Sequence, residues 1–222
     1  MTPPSHPQPQ FLQTRAGRLA LLGMLALDVF VMPPFVTTGV VPHRVGDMVF
    51  AFTMFVAVWA MGGKHGRKVV ISIAVAALLV QFTRFLGNGK GVSIADAALS
   101  AAALGTFAGF VLVDVFRKDP VSDRLIDVVL AYLLVGATFA FLYEIANLTI
   151  PGAVTIRTRP DWGIDYTYFS FTTMTAVGSG DVLPTHPVTK SLVMVESLIG
   201  QLYVAVLVAR FVNVRGERGG SR

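Results

Sequence analysis

The chain has 222 residues, of which 54% are hydrophobic and only 14% charged, with a mean hydropathy of +0.65. A soluble domain needs roughly 25% charged residues to cover its surface, so a soluble globular protein is excluded and an all-α membrane protein is expected. At about 20 apolar residues per span, the length holds roughly six or seven helices and leaves no room for a large soluble regulatory domain. The absence of cysteine excludes a disulfide framework, a thiolate zinc site and cysteine nucleophilic catalysis.

Residues 1–14 carry Pro3, Pro4, Pro7 and Pro9 among Ser, His and Gln, a pattern that predicts a disordered tail. Arg15 and Arg18 precede the first apolar run, Leu19 to about Val41, which Pro33 and Pro34 interrupt. A signal peptide is the alternative for this run, but no small-x-small cleavage site follows and further spans do. The second run is about Met48 to Met61, the third Val69 to Leu86, and the fourth about Ile94 to Phe116. Ser93 and Asp96 are spaced as a capping box for the fourth, and Asp119, Ser122 or Asp123 can cap the fifth. The fifth run extends from Leu125 to Ile150 and the last from about Val188 to Val214. Residues 15–118 therefore form a four-helix peripheral bundle, residues 119–214 a second unit, and residues 215–222 a short tail.

Between the last two runs lies a stretch of different character. A polar loop leads into an aromatic and Thr-rich segment, Asp165 to Thr175, and then a glycine-rich turn. About ten moderately apolar residues are too short to span, so this segment is expected to be a re-entrant or interfacial helix.

Lysine and arginine set the topology. With the N-terminus inside, the inner segments carry Arg15, Arg18, Lys64, Arg67, Lys68, Arg117, Lys118, Arg124, Arg210, Arg215, Arg218 and Arg222, twelve of the eighteen basic residues. Arg44, Arg84, Lys90, Arg157, Arg159 and Lys190 fall outside. The bias predicts six spans in a cell membrane (the inner membrane if bacterial), with both termini cytoplasmic. It also accounts for the net charge of +5 without a nucleic-acid partner.

Residues Thr172 to Pro184 carry the chemistry. Irregular backbone at membrane depth is tolerated only where it is buried in protein or lines a water-filled path. Gly178 and Gly180 flank one residue and permit backbone angles closed to others. Alternating conformations of that kind turn successive carbonyls the same way, and a row of carbonyl oxygens replaces the water shell of a dehydrated cation. A short helix ending near Thr175 would face that path with its negative dipole end.

This stretch resembles the tetrameric pore-loop potassium channels, whose filter signature is Thr-Val-Gly-Tyr-Gly-Asp. The matching residues are Ala176, Val177, Gly178, Ser179, Gly180 and Asp181, preceded by Tyr168 to Thr175. Glu196, Gly200 to Tyr203, and Ala209-Arg210 in the last run are similar to small six-span bacterial members. The likeness covers about Leu125 to Val214. It implies a re-entrant pore helix and filter loop between the fifth and sixth spans, four identical chains in the surrounding lipid, and the permeant ion as the sole ligand, with no cofactor. K+ would be held by the carbonyls of Ala176, Val177, Gly178 and Ser179. Tyr168 and Asp181 would brace the filter, and Gly200 would be a hinge. Two residues depart from the pattern: Ala176 lacks the threonine hydroxyl, and Ser179 replaces the tyrosine that forms an aromatic cuff. Both loosen selectivity and keep Na+ open as a second permeant ion. Thr175 supplies a hydroxyl one position early, directed toward the protein.

The fourth run has no arginine or lysine from Ile94 to Val115. Each charge moved through the field is worth about 2.3 kcal/mol per 100 mV, so steep voltage gating through this helix is not expected. Gly105 and Gly109 suggest close helix packing. Intramembrane acids are functional candidates by default. Glu196 is expected near Ser170 or Thr173, either as a protonatable site or as a structural hydrogen-bonded carboxyl. Asp28 and Glu144 are similar cases. Val208 and Val212 can narrow a path and gate it by dewetting. An intramembrane serine hydrolase is the remote alternative. Ser179 lies between glycines, but Val177 stands where a nucleophile elbow needs its first glycine, and no intramembrane histidine is available as base.

Overall fold

In a computed structural model of the chain, the structure describes residues 15–60, 75, 89–117, 125–157 and 165–219. The helices are α1 (Arg15–Ala26), α2 (Met32–Thr37), α3 (His43–Ala60), α4 (Lys90–Arg117), α5 (Leu125–Thr149), α6 (Tyr166–Met174) and α7 (Pro187–Gly219), with two short strands, β1 (Val154–Ile156) and β2 (Val182–Pro184). Among the described residues four helical stretches are long and apolar enough to cross a membrane: Gly17–Val36, Lys90–Phe116, Leu125–Thr149 and Pro187–Arg210. The second predicted run forms α3, an 18-residue helix. The third, Val69 to Leu86, falls outside the described residues apart from Val75, as does the predicted tail 1–14.

The prolines of the first run do not break it. Pro33 and Pro34 have no N–H to return to carbonyls one turn earlier. The chain accommodates this with a π-helical turn, Leu27–Val31, in which the Met32 N–H bonds Leu27 O, and the prolines then occupy the first turn of α2. Asp28 lies on that turn. Helix α4 begins at Lys90, so Ser93 and Asp96 are inside the helix rather than a cap box at its start; the Ser93 N–H bonds Gly89 O. The proposed caps of α5 lie outside the described residues. At the other terminus, α7 continues through Gly219, so the predicted tail is helical over most of its length.

One core is shared by the first helix and the two central ones. Leu21, Leu25, Val29, Leu104, Phe107, Leu130 and Leu134 are all buried together. Gly105 permits the close approach of α4 to α5: a Cβ there would lie 3.3 Å from Thr138 Cγ2. Gly109 has open space around it, so only one glycine of the pair serves packing.

Side-chain contacts fix the directions of the helices. Arg18 at the start of α1 pairs with Asp127 at the start of α5 at 2.8 Å. At that same end Val115, Val128 and Leu207 form a cluster. Arg210 of α7 donates to Phe116 O at 3.0 Å and lies over the Phe116 ring, a cation at the carbonyl end of α4. Helices α1 and α5 therefore leave this end, and α4 and α7 return to it. Helix α3 runs back toward it: Gly46 near its start lies against Val36 at the far end, where a Cβ would be 3.2 Å from Val36 Cγ2, and further along Phe50 packs on Phe141 and Thr53 lines a small cavity with Leu21, Leu25 and Leu134. The end of α3 and the start of α4 thus lie at opposite ends of the bundle.

Helix α6 is inserted between α5 and α7 at the far end. Gly136 makes room for it: a Cβ at this position would lie 2.6 Å from Phe171 Cζ, and the Phe171 ring is itself packed on Phe30 at 5.4 Å. The substitution Gly136→Ala is expected to destabilise the protein by about 1–3 kcal/mol through overpacking, whereas Gly109→Ala is expected to be neutral or slightly stabilising. Thermal unfolding of the two variants in the same detergent checks this; equal melting temperatures would contradict the packing described.

Candidate functional site

The site is built on the C-terminal end of α6. Asp165 caps the start of this helix, its carboxylate accepting from the Tyr168 N–H at 2.9 Å. Burial pushes the Asp165 carboxyl above the ordinary range, against the pull of the Tyr168 and Thr167 N–H groups. The other end of the helix closes at Thr175, whose hydroxyl donates to Phe171 O at 2.7 Å. The Thr175 hydroxyl is therefore engaged by its own helix.

The next residues turn their N–H groups back onto this helix. Ala176 N bonds Thr173 O at 2.9 Å, and both Val177 N and Gly178 N bond Thr172 O at 3.0 Å. In a trans peptide the N–H and the preceding carbonyl point in opposite directions. The carbonyls of Thr175, Ala176 and Val177 are thus directed away from α6. Alternate residues have left-handed backbone: Ala176 at φ 58°, Gly178 at 73° and Gly180 at 71°. Glycine takes this conformation freely, whereas for Ala176 it is a strained one. The geometry turns three successive carbonyls, those of Thr175, Ala176 and Val177, away from α6. Val177 projects with 76% of its surface exposed, and Thr175, Ala176 and Gly178 beside it are exposed as well.

The sequence left the outer part of the row unbraced once Ser179 replaced an aromatic ring. The structure supplies a different brace. The Ser179 hydroxyl donates to Val182 O at 2.9 Å. Strand β2 pairs antiparallel with β1, matching Val154 with Pro184, Thr155 with Leu183 and Ile156 with Val182. The ladder continues to Arg157, whose N–H bonds Asp181 O at 2.8 Å. Ala153 O then accepts from Thr185 N at 3.0 Å and from the Thr189 hydroxyl at 2.8 Å, which seats the start of α7. Asn147 ties the same ribbon to α5, accepting from Val154 N at 3.1 Å and donating to the Tyr166 hydroxyl at 2.9 Å. Sequence reasoning missed this ribbon. The alternating Val154-Thr155-Ile156 run was its one signal.

Tyr168 lies near Asp181. Partial burial, then the charge and hydrogen bond of Asp181 and the charge of Asp165, raise its phenol above the ordinary range. Tyr168 is 43% exposed on the single chain. Asp181 Oδ1 also accepts from Val182 N at 3.1 Å.

On the inner side, α7 is pressed against the end of α6. A Cβ at Gly200 would lie 2.1 Å from Met174 O and 2.9 Å from Met174 C. The helix runs unbroken through this residue, so glycine is required there for a backbone contact. Ser197 adds a hydrogen bond to Thr173 O at 3.3 Å. Glu196 is fully buried, accepting from the Tyr143 hydroxyl at 2.6 Å and lying 2.5 Å from Ser170 Oγ. The site thus brings Glu196 and Gly200 together behind α6, and Tyr168 and Asp181 beside its exposed face.

Among the described residues no group of three His, Asp or Glu is arranged to hold a metal. Ser179 has a backbone carbonyl, Val182 O, as its hydrogen-bond partner. A sequence model of a family described as "Ion channel" matches residues 127–215, which run from the start of α5 into the last turns of α7. The match is to an ion-channel family and not an enzyme family. No curated protein and no solved structure matched the chain. Residues 127–215 are thus similar to an ion-channel family, within a helical protein that has several candidate membrane spans.

The Gly200→Ala variant is expected to push α6 off α7 and to lower both the melting temperature and any ion flux. Gly23→Ala, with nothing within 4 Å of the new methyl, serves as the control. Unchanged flux and stability in Gly200→Ala would contradict a tight contact at Met174.

Proposed function

We propose that the chain is a subunit of a potassium-conducting channel. Four copies would surround one path, each contributing α5, α6, the Ala176–Gly180 row and α7. A single re-entrant segment cannot close a ring alone. The carrying observation is the outward-directed carbonyl row, fixed by the N–H groups of residues 176–178 bonding back to α6 and by left-handed backbone at alternate residues. Backbone oxygens so arranged stand in for the hydration shell of a dehydrated cation. The negative end of α6 favours a cation just inside this row.

The exposed apolar face of α7 supports the assembly. Met194, Leu198, Leu202, Val208 and Val212 are all exposed on the single chain and need lipid or neighbouring subunits to cover them. Contacts at Glu196, Ser197 and Gly200 hold the upper part of α7 to α6. Bending at Gly200 would therefore move only the part below it, where Val208 and Val212 can close the path by dewetting. The peripheral bundle of residues 15–118 supplies no basic charge within α4 between Lys90 and Arg117, which favours a pore without steep voltage gating. The bias of Lys and Arg supports a cell-membrane protein with both termini cytoplasmic. The opposite placement of the end of α3 and the start of α4 fits six spans.

A second reading keeps the architecture and passes Na+ as well as K+. Ala176 favours it, since the innermost position has no side-chain hydroxyl and the Thr175 hydroxyl is spent on Phe171 O. Flux from proteoliposomes under opposed potassium and sodium gradients separates the two. Potassium permeation well above sodium is expected; equal permeation selects the second reading, and no flux of either ion contradicts both.

A further inference from the structure

Glu196, Ser170 and Tyr143 are each 0% exposed and belong to three different helices, α7, α6 and α5. Their oxygens form one continuous chain. The Tyr143 hydroxyl lies 2.6 Å from Glu196 Oε2, Glu196 Oε1 lies 2.5 Å from Ser170 Oγ, and Ser170 Oγ lies 2.7 Å from the backbone oxygen of Gly136. Each of these close oxygen pairs needs a hydrogen between its members.

Counting hydrogens decides the state of the carboxyl. Gly136 O can only accept, and a serine hydroxyl has one hydrogen to give. If Ser170 gives that hydrogen to Gly136 O, the contact with Glu196 Oε1 must be filled by a hydrogen on the carboxyl. If Ser170 gives it to an ionised Glu196, two oxygen lone pairs face each other at 2.7 Å with nothing between them. Tyr143 cannot relieve this, because its hydrogen already serves Oε2. Only a protonated Glu196 satisfies all three contacts: Tyr143 donates to Oε2, Oε1 donates to Ser170, and Ser170 donates to Gly136.

The surroundings agree. From α5 the titratable neighbours are Tyr143 and Tyr132, the latter near enough to feel a charge at Glu196, and from α6 the neighbour is Ser170. Among the described residues no Lys, Arg or His forms an ion pair with Glu196. A fully buried carboxylate with no cation beside it is costly, whereas a neutral acid with both oxygens bonded is not.

We propose that Glu196 is a neutral carboxylic acid whose proton is a structural part of the protein, and that this proton bolts α6 between α5 and α7. Glu196 is then a positioning residue for the carbonyl row that begins five residues after Ser170. Its protonation stands on the geometry alone; its consequence for flux rests on the channel reading.

Infrared difference spectra of the full chain in lipid vesicles at neutral pH, wild type minus Glu196→Gln, test the protonation. A protonated-carboxyl carbonyl stretch present in the wild type and missing from the variant is expected. Carboxylate bands in its place would overturn the proposal. The positioning role is read from thermal stability and flux. Glutamine can donate to Ser170 from its amide nitrogen and accept from Tyr143 on its oxygen, so Glu196→Gln is expected to keep both near wild type. Glu196→Ala is expected to melt at lower temperature and to lose flux. Glu196→Ala equal to wild type, or Glu196→Gln as impaired as Glu196→Ala, would overturn that role. If Glu196→Ala does not fold, the glutamine variant and the spectrum still decide. A wild type that passes no ion would sink the channel reading and leave the spectrum to decide the protonation.

Discussion

The structure depends on the planarity of the peptide bond. Once the N–H groups of Ala176, Val177 and Gly178 are bonded to the carbonyls at the end of α6, the carbonyls preceding them must face the other way. No side chain has to be aimed for this, which is why Ala176 can replace a functional-looking residue without disturbing the row. The requirement falls instead on backbone conformation, and the left-handed angles at Ala176, Gly178 and Gly180 meet it. Two of those positions carry the residue suited to such angles. Alanine at the third holds its angle through the bond of its own N–H to Thr173 and that of Val177 to Thr172.

Because the row is a feature of one short helix, the rest of this half of the molecule serves to keep that helix still. Glycines at 136 and 200 bring α5 and α7 into contact with its flank and its end. Tyr143 packs its ring at a tilt against Phe169, centroids 4.7 Å apart, and bonds Glu196, linking an aromatic contact to a polar one. The outer end is held by backbone pairing of β1 with β2 and by the Ser179 hydroxyl rather than by an aromatic ring. The bracing is therefore made within one chain, from close packing at the two glycines, an aromatic contact and hydrogen bonds. It leaves the exposed faces of Val177 and α7 to whatever surrounds the chain.

Much of this was legible in the sequence, for identifiable reasons. Hydropathy placed α5 and α7, because twenty or more apolar residues in a row have few other solutions. The short length of Asp165 to Thr175 marked α6, and the two glycines marked the left-handed positions. Placing Glu196 near Ser170 followed from helix rise and chain order. The misses have a common cause. The ribbon of β1 and β2 is three residues per strand and is defined only by a partner about thirty residues away, so local pattern cannot specify it. The role of Gly200 as a contact for Met174 and the tether from Ser179 to Val182 likewise exist only in three dimensions. Pro33 and Pro34 suggested a break, while a π-helical turn absorbed the missing N–H groups and let the helix continue.

The central claim is that peptide oxygens from several copies of this chain gather about an axis and take the place of water around a metal ion. A structure of the assembled protein grown in rubidium, with anomalous scattering used to find the ions, tests it most directly. The account predicts ions on a fourfold axis between the carbonyls of Val177 and Gly178. Residues 176–180 lying away from any symmetry axis, with no ion near their oxygens, would contradict it.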